Sequence, residues 1–127
     1  MKYSFLSYFS LLFVAVLLFS CEANTKAKLE GTWKLLQVPD NGTEEDWTFT
    51  STAIKITQTN AGDTAIPFKQ GTYSIKNNTI TTSGEEMGSS GAEYYRGDFE
   101  IRSLTGTELI LLRKDLGLQY YEFEKKQ

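Results

Sequence analysis

The stretch GTYSIKNNTITT, residues 71–82, decides the class of fold in this chain of 127 residues. In its first half, Tyr73 and Ile75 alternate with polar residues, which is the pattern of a strand with one buried face. Asn77-Asn78 follows, and asparagine accepts the positive φ angles that a two-residue hairpin turn demands. The β-branched residues 79–82 then form a returning strand. The stretch therefore predicts an antiparallel hairpin.

The same pattern extends along the chain on both sides of this hairpin. Six further strand candidates, separated by short turns, occupy residues 29–38, 47–50, 53–57, 93–104, 108–113 and 118–124. Short connections favour pairing between consecutive strands, and eight antiparallel strands of this size can close and remove exposed sheet edges. The sequence therefore predicts an all-β fold, an eight-stranded antiparallel up-and-down meander barrel over residues 29–127. A β-sandwich is the less favoured alternative.

The first 28 residues differ from this pattern. An apolar run from Phe5 to Phe19, about 15 residues long, has the length of a signal-peptide core, whereas a membrane-spanning helix needs about 20. The run is followed by Ser20 and then by Cys21, which is the only cysteine of the chain. Residues 22–28 are polar and aperiodic, so we interpret them as a tether.

The segment Leu18-Phe19-Ser20-Cys21 resembles the lipobox of bacterial lipoproteins, although Phe19 is bulkier than the residue usual at its position. The resemblance implies cleavage before Cys21, a diacylglycerol on its sulfur and a further acyl chain, such as palmitate, on its α-amine. Two or three acyl chains hold a protein firmly in a bilayer, at about 0.8 kcal/mol per buried methylene. We therefore expect residues 1–20 to be a cleaved lipoprotein signal peptide, and residues 21–28 to be the lipidated cysteine with its tether. The expected location is the bacterial cell envelope, at the outer membrane. The alternative is an ordinary signal peptide with Cys21 as a free thiol.

The amino-acid composition argues against several classes of function. The chain contains no histidine, which removes the commonest metal ligand and the usual general base near neutral pH. A formal net charge of −3, without clustered basic residues, argues against nucleic acid as a partner. The acidic runs Glu44-Glu45-Asp46 and Glu85-Glu86 are interpreted as solvated loop charges. We expect no enzyme activity, no metal site and no cofactor.

The segment LEGTWKL, residues 29–35, resembles the first strand of lipocalins and fatty-acid-binding proteins, whose shared signature is Gly-x-Trp at the barrel base. The order of the elements is similar to that of short lipocalin-like lipoproteins of Bacteroidetes-type bacteria, in the calycin superfamily. The resemblance implies a barrel that binds a small apolar or amphipathic molecule without catalysis. Two features depart from the fatty-acid-binding pattern: residues 39–45 leave no room for two helices, and Gln119-Tyr120-Tyr121 carries no arginine.

The candidate ligand contacts are large side chains that face the predicted interior: Trp33, Tyr73, Tyr95, Phe99, Arg113, Tyr121 and Phe123. For Trp33, a core plug at the barrel base is the favoured interpretation. For Arg113, an inward position and a solvated outward position both stay open.

Eight-stranded barrels are either filled by side chains or hold one small ligand. A lined void would favour a ligand. A filled interior with an apolar rim would favour the alternative function, an interaction or inhibitor protein that contacts another envelope protein through loops such as residues 83–91.

Overall fold

The computed structural model describes residues 21–36, 44–59, 66–88, 95–115 and 117–127. Eight strands form one closed antiparallel sheet in which each strand pairs with its neighbours in sequence and the last returns to the first. The strands are β1 (Gly31–Leu35), β2 (Glu44–Phe49), β3 (Ala53–Thr59), β4 (Ile66–Lys76), β5 (Thr79–Ser83), β6 (Gly97–Leu104), β7 (Glu108–Arg113) and β8 (Gln119–Lys125). The predicted up-and-down barrel is confirmed, whereas the expected leader, residues 1–20, lies outside the described residues.

The hairpin between β4 and β5 has the expected turn. Asn77 and Asn78 adopt φ angles of 49° and 61°, and Ile75 pairs with Ile80 across the two strands. Because the side-chain period of a strand is two, this register turns both isoleucines toward the same face of the sheet.

The barrel has two distinct ends. At the end that we call the base lie the short connections β2–β3, β4–β5 and β6–β7. At the other end, which we call the mouth, the odd-numbered strands finish and the even-numbered strands begin. The chain approaches β1 from the base through residues 21–29, which are helical and which we call the N-terminal helix.

The structure differs from the sequence interpretation in four local features. β1 begins at Gly31 rather than at residue 29, because Leu29 is the last residue of the N-terminal helix. β2 begins at Glu44 rather than Trp47, because residues 44–46 continue the ladder with β3. β6 begins at Gly97 rather than at residue 93. Residues 22–28, interpreted as an aperiodic tether, lie within the N-terminal helix.

The interior is filled from the base upward by apolar side chains. Those exposed by 2% or less are Leu29, Trp33, Trp47, Phe49, Ile54, Ile56, Ile80, Met87, Phe99, Leu109, Leu111 and Phe123. Met87 enters from the 3₁₀ turn Glu86–Gly88 and lies where Gly71 lacks a side chain, since a Cβ at Gly71 would lie 2.5 Å from Met87 Cγ.

Trp47 occupies the middle of this interior. Its ring centroid lies 5.8 Å from that of Tyr95, 5.5 Å from Phe99, 5.8 Å from Tyr121 and 5.0 Å from Phe123. These four rings belong to β6, to the turn before it and to β8, so the indole of β2 reaches the opposite wall. Such aromatic pairs contribute about 0.5–1.5 kcal/mol each beyond the area that they bury.

We predict that Trp47→Ala lowers the free energy of unfolding by about 3–5 kcal/mol, because the lost indole leaves a cavity bordered by four rings. Urea denaturation of residues 21–127, followed by circular dichroism, measures the change. Tyr120→Ala is the matched control, because Tyr120 is 48% exposed on the outer face of β8, and it should cost no more than about 0.5 kcal/mol. If Trp47→Ala yields no folded protein, Trp47→Phe supplies a smaller, measurable loss. Equal losses at positions 47 and 120 would contradict the central role of Trp47.

Candidate functional site

The interior becomes polar between Trp47 and the mouth. Glu45, Lys69 and Arg113 are buried there, with 8%, 6% and 1% of their surfaces exposed. They lie on the inner face of the sheet because they have the parity of the buried residues Trp47, Tyr73 and Leu111 on the same strands. We call the set Glu45, Gln58, Lys69, Tyr95 and Arg113 the mouth layer.

Glu45 is the acceptor at the centre of the mouth layer. Its Oε1 atom accepts hydrogen bonds from Trp47 Nε1 at 2.9 Å and from the Tyr95 hydroxyl at 3.1 Å. Its Oε2 atom accepts a longer bond, 3.4 Å, from Gln58 Nε2. The bond to Tyr95 crosses the interior between β2 and the residues preceding β6. The carboxylate therefore satisfies the buried indole N–H and the partly buried Tyr95 hydroxyl, and it links opposite walls of the barrel.

The interpretation of Glu44-Glu45-Asp46 as solvated loop charges is wrong, because all three residues belong to β2. Glu44 is half-buried and forms an ion pair with Lys34 at 3.2 Å. Glu45 and Asp46 lie within β2, and each is only 8% exposed. Glu45 shares the inner face with Trp47 and Phe49 because the three positions are two residues apart. Asp46 faces outward and accepts a hydrogen bond at 2.8 Å from Lys126 Nζ. In the second acidic run, Glu85 and Glu86 are exposed as expected.

Tyr95 holds its proton strongly. Burial raises the pKa of its phenol, and the negative charge of Glu45 and the hydrogen bond to it raise the pKa further. The hydroxyl therefore remains a hydrogen-bond donor to Glu45 at neutral pH. Tyr95 is partly exposed, so one edge of this donor–acceptor pair borders the mouth.

Arg113 faces inward, which answers the question that the sequence leaves open. Its guanidinium lies 5.1 Å from the Phe99 ring centroid. Its Nε atom donates to Asp115 Oδ1 at 2.7 Å, and Nη2 donates to Asp115 Oδ2 at 3.1 Å and to the Arg96 carbonyl oxygen at 2.5 Å. This forked arrangement matches the geometry of a carboxylate and fixes the cation over the aromatic cluster.

The seven predicted ligand contacts separate into two groups. Five of them lie in the upper interior: Tyr95, Phe99, Tyr121 and Phe123 surround Trp47, and Arg113 lies over the Phe99 ring. Trp33 and Tyr73 lie toward the base instead. Trp33 is fully buried, and its indole Nε1 donates to the Leu29 carbonyl oxygen at 2.8 Å. The position of Trp33 agrees with a core plug.

Tyr73 contacts the base through both its ring and its hydroxyl. The hydroxyl donates to the Thr50 carbonyl oxygen at 2.5 Å, and the ring packs edge-on against Phe49 at 5.2 Å between centroids. Lys26 Nζ, from the N-terminal helix, lies 5.5 Å from the ring centroid. Burial, with a smaller contribution from the negative charge of Glu30, raises the pKa of Tyr73 to about 12.

The predicted ligand contacts did not include four residues of the upper interior: Glu45, Trp47, Lys69 and Met87. Glu45 and Trp47 share the parity of Phe49, and Lys69 shares that of Tyr73, so alternation alone could have placed them inside. Met87 has no periodic signal, because it enters the interior from a turn outside the ladder.

No group of three or more cysteine and acidic side chains within the described ranges is arranged to hold a metal ion. Within those same ranges, none of the helices has the length and apolar character needed to cross a bilayer.

Solved structures share this architecture. A crystal structure of a lipocalin-like protein from Bacteroides uniformis aligns with a TM-score of 0.57 and 17% sequence identity, covering 78% of this chain and 99% of that one. The fold is lipocalin-like. An uncharacterized protein from Bacteroides eggerthii aligns with a TM-score of 0.57 and 18% identity, covering 77% of this chain and 99% of that one. No protein-family model and no curated protein sequence matches the chain.

The Gly-x-Trp segment occupies the base of this lipocalin-like barrel. Gly31 has a φ of 129°, and a Cβ there would lie 2.9 Å from Lys125 Cε. Lys125 Nζ lies 5.1 Å from the Trp33 ring centroid. Lys125 therefore supplies the cation that packs on the Trp33 ring, whereas Arg113 packs on the Phe99 ring.

The two raised tyrosine pKa values predict a biphasic titration of residues 21–127 by ultraviolet absorbance. Tyr73 should ionise near its pKa of about 12 instead of its ordinary 10. Tyr73→Phe should therefore reduce the amplitude of the late transition, and the ionisation of Tyr95 should remain. Glu45→Gln should move the Tyr95 transition to lower pH, because it removes a charge that raises the pKa.

Stability should follow the same linkage. The folded state binds the Tyr73 proton more tightly than the unfolded chain, so its contribution is complete below pH 10 and is lost as the pH rises toward about 12. Urea unfolding at increasing pH measures the decline, which Tyr73→Phe should reduce. If the late transition in the absorbance titration has the same amplitude in Tyr73→Phe as in the parent chain, the assignment of a raised pKa to Tyr73 is contradicted.

Proposed function

We propose that this protein is a lipid-anchored, non-catalytic component of the bacterial cell envelope whose mouth layer binds a small amphipathic molecule. The observation that carries the proposal is a buried carboxylate, Glu45, beside the partly exposed Tyr95 and Gln58 at the mouth end of the strands of a lipocalin-like barrel. Ligand sites of β-barrels occur preferentially at their mouths.

The hydrogen bonds of Glu45 indicate the chemistry of that ligand. Oε1 accepts from two firmly placed donors, whereas Oε2 accepts the longer bond from Gln58. A carboxylate offers about four acceptor positions, so a hydroxyl or amine of the ligand can donate to Oε2. Leu35, at the mouth end of β1, and Tyr121 provide apolar surface beside it.

The filled interior limits how deeply such a ligand can penetrate. Trp47 and Phe99 are exposed by 1% and 0%, and their rings are 5.5 Å apart. A ligand that contacts Glu45 therefore stays above Trp47, at the mouth. This depth favours a short polar head group over a long acyl chain buried along the barrel axis.

The membrane part of the proposal is supported by the lipobox resemblance and by the accessibility of Cys21. Cys21 is an exposed free cysteine at the start of the N-terminal helix. Cleavage before this residue would leave its sulfur and its α-amine available for acylation.

The second candidate function, interaction with another envelope protein, is favoured by a different observation. Leu36, Leu118 and Tyr120 are 51%, 77% and 48% exposed. Leu36 follows β1, Leu118 precedes the adjacent β8, and Tyr120 lies on β8 itself, so all three are at the mouth end of this strand pair. We call them the apolar rim. A filled interior with such a rim fits a partner that contacts the outside of the mouth.

We predict that Cys21→Ser abolishes both fatty-acid labelling and membrane association of the full-length chain. Expression in a Bacteroides species with an alkyne-tagged palmitate, followed by fractionation, measures both. The matched control is Ser51→Cys in the Cys21→Ser background, which restores a thiol in the exposed β2–β3 turn and should restore neither property. A processed, membrane-bound Cys21→Ser product would contradict the lipid anchor.

Native mass spectrometry of the protein isolated from the same host separates the two candidate functions. A bound small molecule should be lost from Glu45→Gln and Tyr95→Phe, which remove a charge or a hydroxyl with little change in volume, and retained by Leu118→Ser. A protein partner held at the rim should show the reverse pattern. A small molecule retained by all three variants would contradict the mouth layer as its site.

A further inference from the structure

The N-terminal helix joins Cys21 rigidly to one end of the barrel. Leu29, its last residue, is completely buried, and its carbonyl oxygen accepts the Trp33 indole hydrogen bond. Lys26 lies over the Tyr73 ring. Next to the helix, Lys125 Nζ donates to the Glu30 carbonyl oxygen at 3.0 Å. These contacts attach the C-terminal half of the helix to the barrel, and the helical backbone carries that placement back to Cys21.

The course of the helix places Cys21 at the base. One groove of about 360 Å³ is lined by Cys21, Glu22 and Thr25 on the helix side and by Ile75, Asn77 and Asn78 on the barrel side. A second groove, of about 210 Å³, separates the later part of the helix from the base end of β6. The helix therefore crosses the base, with Cys21 beside the β4–β5 turn.

From this geometry we propose that the lipidated protein stands with its base against the bilayer and its mouth directed away from it. The proposal rests on the lipid attachment proposed above. β4 has 11 residues, and at about 3.3 Å per residue and a tilt of about 40° the mouth lies roughly 25 Å beyond the base. A ligand or partner would then reach the mouth from the aqueous side and not from the acyl chains of the same membrane.

A flexible tether would not produce this orientation. Seven unstructured residues have a root-mean-square length of roughly 15 Å, which would let the barrel turn freely beside the membrane. Several cations at the base already have partners within the protein: Arg102 pairs with Glu100 at 2.8 Å, and Lys125 Nζ lies 5.1 Å from the Trp33 ring centroid. The exposed Lys28 and Lys76 are accompanied by the exposed Glu22 and Glu30. The orientation should therefore depend on the helix and change little with the anionic lipid content of the membrane.

The test couples residues 21–127, which contain the helix and all eight strands, through Cys21 to a maleimide lipid in phosphatidylcholine vesicles. A donor dye is attached through an unnatural amino acid either at Thr105, in the exposed β6–β7 turn at the base, or at Leu118, at the mouth. Energy transfer to a rhodamine-labelled lipid should be at least two-fold more efficient from position 105. The same difference should persist when part of the phosphatidylcholine is replaced by phosphatidylglycerol.

The matched control changes the helix and leaves the barrel intact. Ala23→Gly, Thr25→Gly and Ala27→Gly together disfavour the helix, since each glycine costs up to about 1 kcal/mol of helix stability. Circular dichroism verifies that the sheet is retained, and the two transfer efficiencies should become similar. Equal efficiencies in the parent chain, a higher efficiency at position 118, or an unchanged difference in the triple variant would overturn the proposal. Because the chain is coupled chemically, this outcome is independent of whether palmitate labels Cys21 in cells.

Discussion

The need to fill a closed barrel is the constraint on which the rest of this structure depends. Closing eight short strands removes every sheet edge but encloses a space that side chains or a ligand must occupy. Trp47 meets this requirement by reaching from β2 to rings on the opposite wall. The indole also brings a buried N–H group into the interior, and that donor needs an acceptor.

The acceptor explains why charge is found inside a small barrel. Glu45 lies on the inner face two residues before Trp47, so the same strand supplies the donor and the carboxylate that satisfies it. The Tyr95 hydroxyl uses the same oxygen atom from across the interior. Arg113 is satisfied separately by Asp115. Glu45 and Arg113 can therefore be buried, because each has hydrogen-bond partners. Both lie in the mouth layer, and apolar side chains fill the interior between this layer and the base.

Alternation was sufficient to predict the fold but not the whole site. The period of two along residues 71–82 gave the hairpin register, and short turns gave the order of the strands. The same period places Glu45 and Trp47 inside, but the run of three acidic residues suggested a loop. The run nevertheless forms part of a strand, because Glu45 falls at an inward-facing position and there accepts hydrogen bonds from the Trp47 and Tyr95 side chains. The reliable signal was therefore a residue's parity relative to a known core position.

The N-terminal helix and Met87 could not be predicted from periodicity for a different reason. A polar segment of nine residues is too short to be stable as a helix alone, and here it is stabilised by tertiary contacts of Leu29 and Lys26 with the base. Met87 is likewise placed by the absence of a side chain at Gly71, more than a dozen residues earlier. Both are contacts between distant parts of the chain, which local patterns do not encode.

The base and the mouth of the barrel differ in whether they could admit the proposed ligand or protein partner. The base is covered by the N-terminal helix and sealed from within by Trp33, and the middle is occupied by Trp47 and its ring partners. At the mouth, the accessible groups among the described residues are the partly exposed members of the mouth layer and the apolar side chains of Leu36, Leu118 and Tyr120. A small ligand and a protein partner would therefore use the same end of the barrel. They differ only in whether they contact its inner or its outer face, because the filled interior leaves no deeper position in the described structure for either of them.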